Sequence, residues 1–269
     1  RDKERLELAM EDVDTVFHCA ALKHVYLSEY NPFEAMQTNI IGTHNVIHAA
    51  ILANVDRVVL TSSDKSVNPT STMGATKLLG EHLVTAANNY AGKHTTKFAS
   101  VRFGNVLNSN GSVLQIFRHQ LEKEIPLTIT STEMTRFFLS MPQAVELCID
   151  ASKRMVGGEI FVKNMGSCDI MSLAKAVCGG KQFEFTEIGY KPGEKLYEEL
   201  VTESEVSRTV VDGTTYIVLS DMIDMLSDEL RSEYAVYDNL PRLTVPLRSD
   251  NSMLAEEAIV SMLRDADLL

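Results

Sequence analysis

The chain has 269 residues, 45% of them hydrophobic, and a formal net charge of -12. A chain of this length buries about three-quarters of its unfolded surface in one large core or two coupled ones, and its acidic field, with no concentrated basic patch, excludes nucleic acid as a partner. No run reaches the roughly 18 apolar residues of a membrane span, the first five residues lack a signal-peptide core, and Cys19, Cys148, Cys168 and Cys178 lack metal-ligand spacing; the expectation is a soluble, cytoplasmic protein with reduced thiols and no metal.

A polar segment predicts a first helix from residue 2 or 3. Residues 14–21 form a short apolar run ending in small side chains, which predicts a buried parallel strand. Phe33, Met36, Ile40, Ile41, Val46 and Ile47 recur at near-helical spacing as far as Ala53-Asn54, and a second strand at 57–61 completes a βαβ unit. After Pro69 a helix from about Ser71 carries Met73, Lys77 and Leu83 and stops at Gly92, and residues 97–102 form the next strand. This rhythm predicts a doubly wound, Rossmann-type α/β fold with a parallel sheet and right-handed crossovers. Further on come a Gly/Ser/Asn-rich loop at 108–112, a helix at 113–123 and a strand at 127–130. Pro142 then opens a helix through Ala151, and a strand at 159–163 returns to the sheet. Short helices and strands mix from Ser172 onward. The expected organisation is a nucleotide-binding domain of residues 1–106 and 140–165, with a smaller α/β cap domain for substrate from 107–139 and 166–269.

A dinucleotide-binding sheet opens with a strand and a Gly-rich turn that brings the pyrophosphate to a helix N-terminus. Nothing ahead of residue 19 has that pattern, and Gly157-Gly158 and Gly179-Gly180 lack the strand-to-helix spacing. The expectation is a chain that starts partway into its domain. The alternative is a fold that never binds a dinucleotide.

The strand at 57–61 runs into Ser62-Ser63-Asp64-Lys65, at the carboxyl end where such sheets place ligands. Eight residues later, Met73 and Lys77 lie four apart on one helical face. A hydroxyl, a carboxylate and two ammonium groups converging in a partly dry cleft shift one another's pKa values and divide acid and base work. A solvated Asp/Lys pair at a capped helix start is the competing reading.

The runs Ala20-Ala21-Leu22-Lys23-His24, Asn31-Pro32-Phe33-Glu34-Ala35, Thr38-Asn39-Ile40-Ile41-Gly42-Thr43, Ser63-Asp64-Lys65-Ser66-Val67-Asn68-Pro69-Thr70 and Met73-Gly74-Ala75-Thr76-Lys77 appear in family order. The chain resembles the extended short-chain dehydrogenase/reductases and, more narrowly, the UDP-N-acetylglucosamine 4,6-dehydratases of bacterial polysaccharide biosynthesis. The resemblance continues through Val101-Arg102-Phe103-Gly104-Asn105 and Pro192-Gly193-Glu194-Lys195-Leu196-Tyr197-Glu198-Glu199, and so spans nearly the whole chain. It implies a UDP-sugar substrate, a homo-oligomer, a missing Gly-rich loop upstream and, in many relatives, N-terminal membrane helices.

The chemistry it implies is a redox-neutral dehydration with NAD or NADP. Hydride leaves sugar C4, water leaves across C5 and C6, and hydride returns to C6, giving a 4-keto-6-deoxy sugar. Asp64 would then protonate the departing C6 hydroxyl, Lys65 would be the base at C5, Ser63 would bond the C4 oxygen, and Lys77 would hold the nicotinamide ribose. Met73 departs from the pattern, because most relatives place Tyr there as base for the C4 hydroxyl and Met accepts no proton. A subset of the dehydratases shares this Met. Asp64, or a water relayed through Lys77, is left as the C4 base. Ala20, Ala21 and Asn39 would flank the cofactor, although an asparagine in Asn39's place more often serves as a helix-anchoring amide. On the substrate side the resemblance implies Lys23, Asn105 and Ser112 along the channel, Arg136 and Lys191 on the pyrophosphate, Glu194 on the uridine ribose and Thr128 beside the uracil. Relatives usually carry Arg where Lys191 stands, which weakens a bidentate clamp. His18 and His24 flank the cofactor cleft as structural groups. A UDP-sugar 4-epimerase, which needs no acid/base pair at C5 and C6, and a non-catalytic nucleotide-binding protein are the alternatives.

Overall fold

Asp2 caps α1 (Lys3–Ala9) by accepting from the Arg5 N–H, and β1 (Thr15–His18) follows. Asn31 ends α2 (Val25–Tyr30) and, with Pro32 in the first turn, starts α3 (Pro32–Met36) by accepting from the Glu34 N–H. The helix expected beyond Phe33 is α3, one π-helical turn at Gln37–Ile41 and α4 (Gly42–Leu52) in unbroken succession. The βαβ rhythm continues through β2 (Arg57–Thr61), α5 (Thr72–Tyr90) and β3 (Lys97–Arg102). Next come β4 (Asn105–Val106), α6 (Val113–Glu122), β5 (Leu127–Ile129) and β6 (Thr135–Leu139). A capping box between Ser140 and Gln143 starts α7 (Met141–Arg154), one residue ahead of Pro142, and β7 (Ile160–Lys163) returns to the sheet. The remainder is β8 (Ser167–Asp169), α8 (Ile170–Val177), β9 (Phe185–Glu187), β10 (Glu199–Val201), α9 (Glu203–Val206), β11 (Thr209–Asp212), β12 (Thr215–Val218), α10 (Asp228–Glu233), β13 (Leu247–Arg248) and α11 (Glu256–Asp265). This computed structural model describes residues 1–90 and 94–269, so the helix stop expected at Gly92 lies outside the described residues.

The main sheet has the order β1-β2-β3-β7-β12-β11, with the first four strands parallel and the last two antiparallel. It is a doubly wound Rossmann-type sheet with an antiparallel hairpin added at one edge. At the other edge β1 pairs with β2 alone. The parallel strands alternate between two cores. Val58, Leu60 and Phe98 face α4 and α5, while Val59, Ala99 and Val101 face α7 and the buried Tyr234 and Tyr237. The hairpin β11–β12, turned at Gly213 (φ 59), lies inside 166–269, yet Val210 and Ile217 pack in the core of the main sheet. Here the sheet extends beyond the boundary drawn from sequence, because hairpin alternation reads the same in either domain. Three small sheets, β4-β6-β8, β5-β9 and β10-β13, form from the remaining strands.

One buried ion network ties these parts together. Arg102, at the end of β3, donates from Nε and Nη2 to Glu81 of α5 (3.0 and 2.7 Å) and from Nη1 and Nη2 to Glu205 of α9 (3.0 and 2.9 Å). Nη1 also donates to the Leu200 carbonyl of β10 (3.0 Å). All five guanidinium donors are thereby engaged. Replacing Arg102 with Met leaves the buried Glu81 carboxylate uncompensated and Glu205 with Arg208 alone at 3.5 Å, and the expected loss is about 3–5 kcal/mol of unfolding free energy. Urea denaturation at pH 7 measures it; an unchanged midpoint would show that the network does not hold the fold.

Candidate active site

The backbone leaves β2 pinned to its neighbour. Ser62 N–H donates to the Val101 carbonyl (2.7 Å) and Asp64 N–H to the Phe103 carbonyl (3.1 Å), after which the chain turns through a 3-10 turn at Asp64–Ser66. Gly74 allows α5 to lie on that turn, because a Cβ at this position would sit 2.2 Å from the Lys65 carbonyl oxygen. Ser71 Oγ accepts from the Gly74 N–H (3.1 Å), and Ser66 Oγ donates to Glu81 (2.7 Å), joining the turn to the Arg102 network.

The turn presents an ion pair. Asp64 is fully buried, and its Oδ1 accepts from Ser63 Oγ (2.7 Å) and from Lys65 Nζ (2.9 Å), while Oδ2 has no hydrogen-bond partner among the described residues. Lys65 Nζ also donates to Asn105 Oδ1 of β4 (3.1 Å). Burial works against the Lys65 ammonium, but Asp64 and then Glu198 outweigh it and hold its pKa above the usual lysine range. Glu198 is the group that sequence reasoning did not single out. It lies just ahead of β10 with its side chain buried, 3.6 Å from Lys195 Nζ and 3.9 Å from Arg136 Nε, and its Oε2 has no hydrogen-bond partner. Burial and then Asp64 push its carboxyl pKa up, against the pull of Lys65, Arg136 and Lys195. The sequence offers only adjacent acids at 198 and 199. The chain path decides between them: Glu199 turns outward to accept from Asn68 Nδ2 (2.7 Å).

Lys77 is buried one helical turn beyond the buried Met73 and donates from Nζ to the Thr61 carbonyl at the carboxyl end of β2. Burial pulls its ammonium down to about 8, against the opposing pull of Glu81 and Cys19. At the end of β1, His18 Nε2 lies 3.0 Å from Thr43 Oγ1, and burial followed by the Lys77 charge takes its pKa to about 4. The imidazole is neutral at pH 7. Asn39 has an anchoring role: it accepts from Leu22 N–H (2.7 Å) and donates to the Leu22 carbonyl (3.1 Å) and Thr76 Oγ1 (2.9 Å), fastening the loop of Ala20, Ala21 and His24 to α5. Ala20 is exposed and Ala21 half-buried on that loop.

The other candidates spread outward. Lys23 Nζ donates to the Asn110 carbonyl (2.9 Å), linking the loop after β1 to the one before α6. Ser112, at the start of α6, has a buried hydroxyl without a partner. Arg136 of β6 is buried, and its guanidinium donates to the carbonyls of Thr135 (2.7 Å), Lys195 (2.8 Å) and Leu196 (3.2 Å). Those donors face the main chain, where the resemblance implies a phosphate. Lys191 is exposed, and its N–H donates to Glu194 Oε2 (2.9 Å). Thr70 Oγ1 donates to the Gly193 carbonyl (3.1 Å), which brings that loop to the start of α5. Thr128 stands on β5 and accepts from Gln120 Nε2 (2.8 Å), with no hydrogen bond to the Asp64 group. The structure thus gathers Ser63, Asp64, Lys65 and Asn105 with Arg136 beside them, and sets Lys77 next along β2. Among the described residues no group of three His, Cys, Asp or Glu side chains could hold a metal ion, and all four cysteines are unpaired.

Comparison with known proteins places this geometry in a family. The chain is 51% identical over 215 residues to the uncharacterized membrane protein MJ1061 of Methanocaldococcus jannaschii, covering 77% of this chain and 65% of that protein. It is 42% identical over 232 residues to a UDP-N-acetylglucosamine 4,6-dehydratase (inverting) of Campylobacter jejuni, covering 85% and 68%. A Rickettsia bellii protein named UDP-glucose 4-epimerase is 39% identical over 84% of this chain and 67% of its own length. Among solved structures, Pen from Bacillus thuringiensis superposes with a TM-score of 0.89 at 38% identity, over all of this chain and 80% of that one. The chain therefore spans about two thirds of the length of these curated relatives. Residues 1–220 match the family described as "Polysaccharide biosynthesis protein", and the chain belongs to that family.

Proposed function

We propose that this chain carries the elimination site of a nucleotide-sugar 4,6-dehydratase acting on UDP-N-acetylglucosamine in polysaccharide biosynthesis, with a nicotinamide cofactor. The observation that carries the reading is the buried Asp64 paired with Lys65 at 2.9 Å at the carboxyl end of β2. Elimination of water across C5 and C6 needs one group to donate a proton and one to accept it, and this pair supplies both within one hydrogen bond. The Campylobacter relative's name supports the substrate. An epimerase would leave the pair without a task.

The residues present fit the nicotinamide end of a cofactor. Lys77 brings a cation to the end of β2, and the Ser62 hydroxyl beside it is buried without a partner. The pyrophosphate end needs a Gly-rich turn between a first strand and helix, a pattern the described residues do not contain. When bound, a nicotinamide cofactor supplies the acceptor and donor of hydride. The choice between NAD and NADP rests on residues that read the ribose 2'-position.

The proton steps follow from this chain's own groups. Ser63 Oγ bonds Asp64 Oδ1 at 2.7 Å, so a C4 proton reaching Ser63 can pass to the Asp64 carboxylate. This gives the first transfer an owner in place of Met73. Asp64, now protonated, is the acid for the C6 hydroxyl. Lys65 must lose its proton before it can act as the base at C5. A ketone at C4 is what acidifies the C5–H, so the order of steps is enforced by the substrate. Among the described residues no helix is long and apolar enough to cross a membrane. The unpaired cysteines support a cytoplasmic site of action, and the exposed Met141, Val145 and Ile149 along α7 support a homo-oligomer.

The complete protein incubated with UDP-N-acetylglucosamine should form a 4-keto-6-deoxy product, identified by NMR, which also reads the C5 configuration. No product with cofactor confirmed bound would overturn the assignment. Asp64→Asn should lower kcat by about 10²–10⁴-fold while nucleotide-sugar affinity stays nearly unchanged; a collapse in affinity would make Asp64 a structural residue. The affinity for the nicotinamide cofactor should decline as pH rises through about 8, since the Lys77 cation is present below that value and lost above it. Lys77→Arg, which keeps its charge, should remove that decline from the pH profile.

A further inference from the structure

The buried carboxylate of Glu198 has no place in the chemistry above, although its segment crosses the turn that bears the ion pair. The segment leading into β10 straddles the Asp64–Ser66 turn. Lys195 Nζ donates to the Val67 carbonyl (2.7 Å), Asn68 Nδ2 donates to Glu199 (2.7 Å), and β10 packs on the turn itself. The Glu198 backbone is fixed from the opposite side: its N–H donates to Ser249 Oγ, and its carbonyl accepts from Ser249 N–H, both at 2.9 Å. A side chain held this firmly, 4% exposed and with one oxygen lacking any hydrogen-bond partner, is an expensive feature to retain for packing alone.

Its surroundings define what it can influence. Arg136 of β6 and Lys195 of its own segment lie 3.9 and 3.6 Å from it, and Asp64 and Lys65 stand on the turn that this segment crosses, close enough for their charges to act on it. Lys65 in turn faces Asp64, Glu198, Arg136 and the neutral Asn105 of β4. Glu81 of α5 is directed to Arg102 and Ser66. The cluster therefore sets two acids against three bases, and Glu198 is the second negative charge seen by Lys65.

We propose that Glu198 is a positioning residue of this site: its carboxylate, buried beside Arg136 and Lys195 on the segment that crosses the turn, sets the pH at which Lys65 can release its proton and serve as the base at C5. The role rests on the dehydratase reading for its catalytic meaning, while the electrostatic coupling stands by itself. An ionised Glu198 stabilises the Lys65 ammonium, so neutralising it favours neutral lysine at lower pH.

The experiment follows the side-chain 15N resonance of Lys65 through a pH titration, alongside the pH profile of kcat for the complete, cofactor-loaded protein. In Glu198→Gln the Lys65 resonance should titrate about one pH unit lower, and the limb of the rate profile that requires neutral Lys65 should move down with it. Lys195→Met removes a positive charge from the same cluster while sparing both acids, and should shift Lys65 the opposite way, to higher pH; it keeps the test open should the Gln variant fail to fold. A Lys65 titration unmoved in Glu198→Gln, or moved in the same direction by both substitutions, would overturn the proposal. A complete protein that forms no product would overturn the dehydratase reading instead, while the Lys65 resonance would still report on Glu198.

Discussion

The five donors of Arg102 organise the molecule. A guanidinium at the end of a central parallel strand is buried only because Glu81 and Glu205 meet it from two other elements and the Leu200 carbonyl takes the remaining N–H. Taking three charges out of water is favourable only when every one is matched, so the network demands a single relative placement of β3, α5 and the β10–α9 segment. That placement brings Ser66 onto Glu81 and stretches the segment carrying Lys195 and Glu198 across the turn that bears Asp64. The scaffold of the sheet and the geometry of the site are thus set by one buried contact.

Steric room completes what the charges begin. Helix α5 can lie against the Lys65 carbonyl because residue 74 has no Cβ, and that approach places Met73 and Lys77 beside the carboxyl end of β2. A chain with net charge -12 concentrates Lys65, Lys77, Arg136 and Lys195 around one strand end. Burial then separates their behaviour. Lys77 has no carboxylate within hydrogen-bonding reach and is pulled down to about 8, whereas Lys65 is held up by Asp64 and Glu198. Two lysines of equal intrinsic pKa thereby take different protonation behaviour from their neighbours.

Much of this was legible in the residue order. Alternating apolar runs and helical spacing located β2 and β3 and the start of α5 within a residue or two, and β1 with an end three residues too long, because parallel strands covered on both faces must be continuously apolar and their crossovers must be amphipathic. Ser63-Asp64-Lys65 and Lys77 were likewise visible, since a strand end followed by a helix start is a local pattern. The π-helical turn at Gln37–Ile41 was not, because it leaves hydrophobic spacing almost unaltered. The partners of Arg136 were hidden as well: motif position suggests a phosphate, whereas the fold presents the carbonyls of 195 and 196 to the same donors.

Taken alone, then, the amino-acid sequence determined the α/β alternation and the strand end that bears Asp64 and Lys65, both of which depend on neighbours within a few dozen residues. Only the tertiary structure decided that β11 and β12 join the main sheet, that Asn39 serves as a clamp on the loop after β1, and that Glu198 rather than Glu199 is buried beside Arg136 and Lys195. These outcomes turn on contacts between segments far apart in the chain, where strand register and the desolvation of charge select one side chain from chemically equal neighbours.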